Sequence, residues 1–206
     1  IYVAFDFDKA PRALAGRAGA SIVIWTTTPW TLPANLAVCV HPDFEYVGYE
    51  VRGRICVVAR ELLGAFTAAV GAGPVVAERI VAAWKGSELE GLTYRHPWVD
   101  RVSPVVLGGH VTLEAGTGCV HTAPGHGAED FDVGRRAGLD VLSPVDDAGV
   151  FTQAAGDYAG RRATECNGDI VARLAELGAL LNRPGETVSH RYPHCWRCHQ
   201  PIVFRA

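Results

Sequence analysis

Six short β-rich runs, at 21–26, 36–40, 44–51, 54–59, 105–113 and 118–122, fill the first two thirds of the chain, and glycine and proline separate them. The opening IYVAFDF alternates in the same way. Helical periodicity is scarcer: it predicts helices over 61–70, over 128–136 and over 168–177, where Ile170, Val171, Leu174 and Leu177 share a face. This distribution does not alternate strand with helix. It points to a mainly β fold with helical additions, α+β, built on a barrel-like β core, and not to a parallel βαβ sheet.

At 206 residues and 49% hydrophobic composition, a single core is the default. The absence of methionine and the strand-like start suggest a piece cut from a larger protein. No apolar run approaches the ~18 residues that span a bilayer, and no signal-peptide pattern opens the chain, so a soluble cytoplasmic protein with no membrane partner is expected. A net charge of -3 argues against a protein that grips long nucleic acid by charge alone, although contact with one RNA end is compatible with it. Of the 19 basic residues all but Lys9 and Lys85 are arginine, and local pairs such as Arg52/Arg54 and Arg161/Arg162 read as solvated surface. Cys39, Cys56, Cys119 and Cys166 stand singly and read as buried thiols, whereas Cys195 and Cys198 form a C-x-x-C.

Two segments are chemically unusual. Trp25-Thr26-Thr27-Thr28-Pro29-Trp30-Thr31-Leu32-Pro33-Ala34-Asn35 runs a strand into threonines, prolines and an asparagine, so hydroxyl and amide groups sit on a stiff backbone with donors removed. A strand end with capping threonines and core tryptophans explains it equally well. Residues 116–131, GTGCVHTAPGHGAEDF, combine tight glycine turns with a helix start that carries Glu129 and Asp130. A carboxylate there can bind an ammonium group. Taken alone, Asp130 is more often a helix-start acid favoured by the dipole, and His121 and His126 are more often packed histidines. No G-x-S-x-G, H-E-x-x-H or P-loop motif occurs, and the zinc-deaminase spacing fails at both of its halves.

Taken together, TTTPWTLPAN at 26–35 and GTGCVHTAPGHGAEDF at 116–131 closely resemble the two motifs of the isoleucyl-tRNA synthetase editing domain, the connective polypeptide inserted in the catalytic core. Valyl and leucyl relatives typically read TTRPET or TTRPDT in the first motif and P-A-H-D in the second, against P-G-H-G at Pro124 to Gly127 here. The resemblance continues through PVDDAGVFTQAAGDYAGRRATECNGDI and HRYPHCWRCHQPIVFRA. Departures are Arg191, His199 and Glu129, where many relatives have serine, lysine and aspartate. No H-x-G-H or K-M-S-K-S motif of the aminoacylation machinery is present.

The resemblance implies an editing-domain fold over 1–189, a tail over 190–206, and hydrolysis of valine wrongly attached to tRNA(Ile); whether valyl-adenylate is also a substrate is left open by it. A synthetic pocket built for isoleucine gains only about 1–3 kcal/mol against valine from one methylene, so a second site must remove the smaller product. By resemblance, Thr28 and Asn35 orient water and stabilise the developing charge, and Thr26, Thr27 and Thr31 line the pocket. Trp25 contacts the valine side chain, His121 walls off isoleucine, and Asp130 holds the α-ammonium. The implied partners are the aminoacylated 3′ end of tRNA(Ile) and the rest of the synthetase, with the chain itself monomeric.

Cys195 and Cys198 are half of a tetrahedral zinc site. By resemblance the other half is a C-x-x-C upstream of Ile1 in the intact synthetase, so no cofactor is expected for this chain alone. The competing readings are a valyl- or leucyl-type editing domain, or a noncatalytic module that binds an RNA end through a zinc ribbon.

Overall fold

The computed structural model describes residues 1–17, 19–183, 193–199 and 201–206. The expected boundary between 189 and 190 lies outside the described residues. In chain order the strands are β1 (Tyr2–Lys9), β2 (Ala20–Trp25), β3 (Ala37–Val40), β4 (Glu45–Val51), β5 (Arg54–Ala59), β6 (Ile80–Lys85), β7 (Thr93–Arg95), β8 (Val102–Leu107) and β9 (Cys119–Thr122). The α-helices are α1 (Leu63–Ala69), α2 (Ala128–Arg136) and α3 (Asn167–Glu176).

The strands form one mixed sheet in the order β6-β4-β5-β2-β1-β7-β8-β3-β9. Only β2–β5 and β3–β8 pair in parallel. The central strands are apolar on both faces because both are covered. In β2, Ile22 and Ile24 enter the main core and Val23 a second cluster; in β5, Ile55, Val57 and Ala59 enter the first while Cys56 and Val58 enter the second. Leu63, Phe66 and Val70, from α1 and its C-terminal end, close the second cluster. Trp30 and Leu32, from the 3-10 segment Pro29–Ala34, pack in the main core with Ile170 and Leu174 of α3.

The mainly β fold with helical additions is as expected, and its barrel-like core is a curled sheet that does not close, with β6 and β9 at its ends. It curls far enough for the approach to β9 to touch β5 and β4, the third and second strands from the opposite edge. The Ala59 N–H reaches the Thr117 carbonyl at 2.8 Å, and the Tyr46 hydroxyl donates to the Gly118 carbonyl at 2.6 Å. Gly118 is required there. Its φ is +72°, and a Cβ would lie 2.5 Å from that of Ala59.

Differences from the sequence reading have local causes. β6 and β7 were not expected, the one because Ala82-Ala83 dilutes its pattern, the other because three residues show no period. The run at 105–113 shifts to Val102–Leu107 and stops at Gly108, which packs against Cys39. The helix at 61–70 starts as a 3-10 turn over Arg60–Leu62, and Leu177, expected on the buried face, is 50% exposed just past the end of α3. Cys39, Cys56, Cys119 and Cys166 are buried free thiols, as expected. Arg52 caps the end of α1 through the Val70 carbonyl, Arg54 pairs with Asp6, and Arg161 pairs with Asp169. Among the described residues no helix is long and apolar enough to cross a membrane.

Candidate active site

β2 ends at Trp25, and the following residues fold back on themselves. The Thr28 N–H bonds the Thr26 hydroxyl at 3.0 Å, and Thr28 then caps the 3-10 segment, its carbonyl accepting from the Thr31 N–H at 3.1 Å and the Thr31 hydroxyl at 2.9 Å. Pro29 at the first helical position fixes φ where no donor is needed. Side chains from three other parts of the fold clamp this backbone. Asn167 accepts from the Trp30 N–H at 2.9 Å, His96 meets the Leu32 carbonyl at 2.9 Å, and Arg101 donates to the carbonyls of Pro33 and Asn35 at 3.1 and 2.6 Å. The threonines are therefore held before any ligand arrives.

The second segment meets the first through the sheet. β9 pairs with β3, placing His121 opposite Val38, and the turn at Pro124-Gly125 leads into α2. A Cβ on Gly125 would lie 2.2 Å from the Leu142 carbonyl oxygen, so only glycine permits this turn. A cleft of about 250 Å³ opens between the segments, lined by Trp25, Thr26, Thr27, Thr28, Thr31, Val120, His121, Ala123, His126 and Asp130. A neighbouring cleft of about 300 Å³, beyond the Pro124 turn and bordered by Phe131, Phe204 and Arg205, holds none of the threonines. Seven of the eight residues proposed from sequence as catalytic or substrate-binding share the first cleft.

Asn35 is the exception. It is fully buried outside the cleft lining, behind His121. Its Nδ2 donates to the Ala37 carbonyl at 3.0 Å and contacts His121 Nδ1 at 2.8 Å, while its Oδ1 accepts from the Tyr94 hydroxyl at 2.6 Å. A carbonyl only accepts, so the amide nitrogen must face Ala37, and His121 Nδ1 must accept. The proton of the neutral imidazole then sits on Nε2 and is donated to the Thr31 hydroxyl at 3.0 Å. Thr31 and His121 therefore do not form a nucleophile and base: the ring nitrogen facing Thr31 already carries its proton. Burial lowers the His121 pKa to about 3, so the ring stays neutral.

Asp130 is the third residue of α2, where the helix dipole favours a carboxylate. Its Oδ2 accepts from the Ala123 N–H at 2.8 Å. Burial raises its pKa, opposed by that hydrogen bond. Among the described residues it is the only carboxylate in the lining, and no lysine or arginine accompanies it there, so the cleft suits a ligand with a positive group. The sequence reading did not assign His126 to the site. Its Nδ1 bonds the Phe204 carbonyl at 2.9 Å and its ring lies edge-on to Trp30, while its buried Nε2 has no hydrogen-bond partner among the described residues. Its presence in the same glycine-rich segment was the available signal.

No family model matches the chain. Over its whole length it is 52% identical to 206 residues of the isoleucine–tRNA ligase of Moorella thermoacetica, of which it spans 22%. The chain matches a segment of isoleucyl-tRNA synthetases. It spans about a fifth of the length of these relatives. The GlLeuRS-CP1 crystal structure resembles it with a TM-score of 0.67, at 14% identity, over 89% of this chain and 100% of that one. The P. falciparum cytosolic leucyl-tRNA synthetase editing domain does so with a TM-score of 0.63, at 11% identity, over 88% of each. At such identities the likeness concerns the fold, which is that of a synthetase editing domain.

A synthetase zinc ribbon fits the present residues poorly. Cys195 is half-buried and Cys198 exposed, and hydrogen bonds from Cys198 and Arg197 lower the Cys195 pKa. Yet among the described residues no three histidine, cysteine or acidic side chains are grouped to hold a metal. Two thiols are half the set a closed structural zinc site needs.

Proposed function

We propose that this chain is the proofreading domain of an isoleucyl-tRNA synthetase, acting in the cytoplasm on valine esterified to the 3′-terminal adenosine of tRNA(Ile). The observation that carries the reading is one small cleft that combines four threonines, a single carboxylate and a neutral histidine. Its roughly 250 Å³ equals the space of about eight waters, enough for an amino-acid side chain with its ammonium but not for a nucleotide as well. The adenosine would lie at the mouth.

In the proposed reaction a water oxygen adds to the ester carbonyl carbon. The bond from that carbon to the ribose oxygen then breaks, the ribose oxygen takes up a proton, and valine and tRNA leave. Asp130 anchors the α-ammonium, and the Thr28 hydroxyl orients the water or bonds the carbonyl oxygen as charge develops. The free lone pair of His126 Nε2 is a second acceptor for water at the same wall. Trp25 and Val120 supply apolar contact, and His121 is the steric stop against isoleucine. The fixed donor order around Thr31 favours attack by water over a covalent intermediate. Asn35 acts from behind, through His121. The domain is assigned to 1–189, its partners are the charged tRNA end and the remainder of the synthetase, and zinc belongs to the whole enzyme.

Incubating the purified chain with valyl-, threonyl- and isoleucyl-tRNA tests the reading. Release of valine in preference to threonine and isoleucine is expected. Preferential release of threonine would instead indicate a valyl-type site, and binding without turnover a noncatalytic module.

A further inference from the structure

We propose that Tyr94 is a positioning residue that fixes the tautomer and ring orientation of His121, and through them the size limit of the cleft; this rests on the reading of the cleft given above. Tyr94 lies in β7, away from both motif segments, and is completely buried. Its ring packs edge-on against Phe5 at 5.1 Å between centroids. Burial pushes its hydroxyl far above the usual phenol range, so it remains a donor. Its 2.6 Å bond to Asn35 Oδ1 must run from tyrosine to amide, because that oxygen only accepts.

The consequence is a chain of donors with one direction: Tyr94 hydroxyl to Asn35 Oδ1, Asn35 Nδ2 to His121 Nδ1, His121 Nε2 to the Thr31 hydroxyl, and that hydroxyl to the Thr28 carbonyl. Reversing the Asn35 amide would set two oxygens together at Ala37 and would cost Tyr94 its bond to Oδ1, leaving Ser103 as its side-chain partner. It would also demand a proton on His121 Nδ1 and leave Nε2 unable to donate to Thr31. The Ala37 carbonyl, which is backbone, orients the amide nitrogen, and Tyr94 is the side chain that holds the amide oxygen at the other end. A ring held on both nitrogens cannot tilt away from a longer substrate, which is what a steric stop requires.

Histidine nitrogen NMR of the unaltered chain between pH 6 and 8 should show His121 as a single neutral tautomer protonated at Nε2. Protonation at Nδ1 would overturn the proposal without any variant having to fold. In Tyr94→Phe, which keeps the ring and removes only the donor, a second His121 tautomer or exchange broadening should appear, and the valyl-to-isoleucyl hydrolysis ratio should fall at least about tenfold. Phe5→Leu loosens the same packing but leaves the hydroxyl, so its His121 signals should match the unaltered chain. Identical signals in Tyr94→Phe, equal changes in both variants, or a changed tautomer with an unchanged ratio would each contradict it. Should the unaltered chain hydrolyse neither ester, the reading of the cleft fails, and the spectra still decide whether Tyr94 sets the tautomer.

Discussion

Asn35 contacts His121 at 2.8 Å across 86 residues of sequence, and this contact joins the two motif segments into one site. It also separates residues that face the substrate from residues that hold them.

Thr28 and Asn35 should differ when each is replaced by alanine. Thr28 is half-buried at the cleft, and among the described residues its hydroxyl contacts only that of Thr26, at 3.3 Å, so Thr28→Ala should slow valyl-tRNA hydrolysis at least about tenfold with little change in stability. Asn35→Ala removes the side-chain partner of His121 Nδ1 and of the Ala37 carbonyl and one of two partners of the Tyr94 hydroxyl, and each buried group left unpaired costs about 1–3 kcal/mol. It should lose activity and melt earlier. Thermal melts beside single-turnover rates check both, and equal melting points would contradict the assignment of Asn35 to a supporting role.

For Asp130→Ala, affinity for a nonhydrolysable valyl-adenosine analogue should weaken by about 1.5–3 kcal/mol, the usual worth of a charge-assisted hydrogen bond. Calorimetry reads this directly. Unchanged affinity with a lower melting point would make Asp130 a helix-start residue that holds the Ala123 N–H and nothing more.

Stability should depend on pH through two buried histidines. His96 and His121 both have folded pKa values lowered to about 3 by burial, from 6.5. Below pH 6.5 the unfolded chain binds protons that the folded chain refuses, so their contribution is full above that pH and declines as pH falls towards 3. From pH 7 to 5.5 the two together should remove roughly 2 kcal/mol. The raised carboxyl of Asp130 acts in the opposite sense nearer the acid range, which makes this upper window the informative one. Urea unfolding at pH 7 and 5.5 measures the change, and a flat profile would mean that the rings are not held neutral.

The motif residues were singled out through the resemblance of two segments, since their local chemistry alone suits capping threonines and packed histidines; the helix at 128–136 was legible because its acids mark a start. The structure places Trp25, Thr26, Thr27, Thr28, Thr31, His121 and Asp130 in one cleft. Sheet order and openness were not legible, since nothing in the β runs says that β2 pairs in parallel with β5 or that β6 and β9 remain edges. The same limit hid the support behind the cleft. Tyr94 lies 59 residues from Asn35, in a strand too short to show a period, and no local pattern connects them. The role of Asn35 rested on the resemblance, and nothing in the motif says which side of His121 it occupies.

The central claim, that this cleft selects valine by size with His121 as the wall, is tested most directly by hydrolysis of valyl- and isoleucyl-tRNA(Ile) by His121→Ala beside the unaltered chain. A close-packed wall resists an added methylene with strain of about 1–3 kcal/mol, which removing the ring relieves. The variant should release isoleucine from correctly charged tRNA while keeping appreciable activity on valyl-tRNA. If isoleucyl-tRNA stays intact while valyl-tRNA is cleared at the unaltered rate, the size filter lies elsewhere and the account of the cleft is wrong.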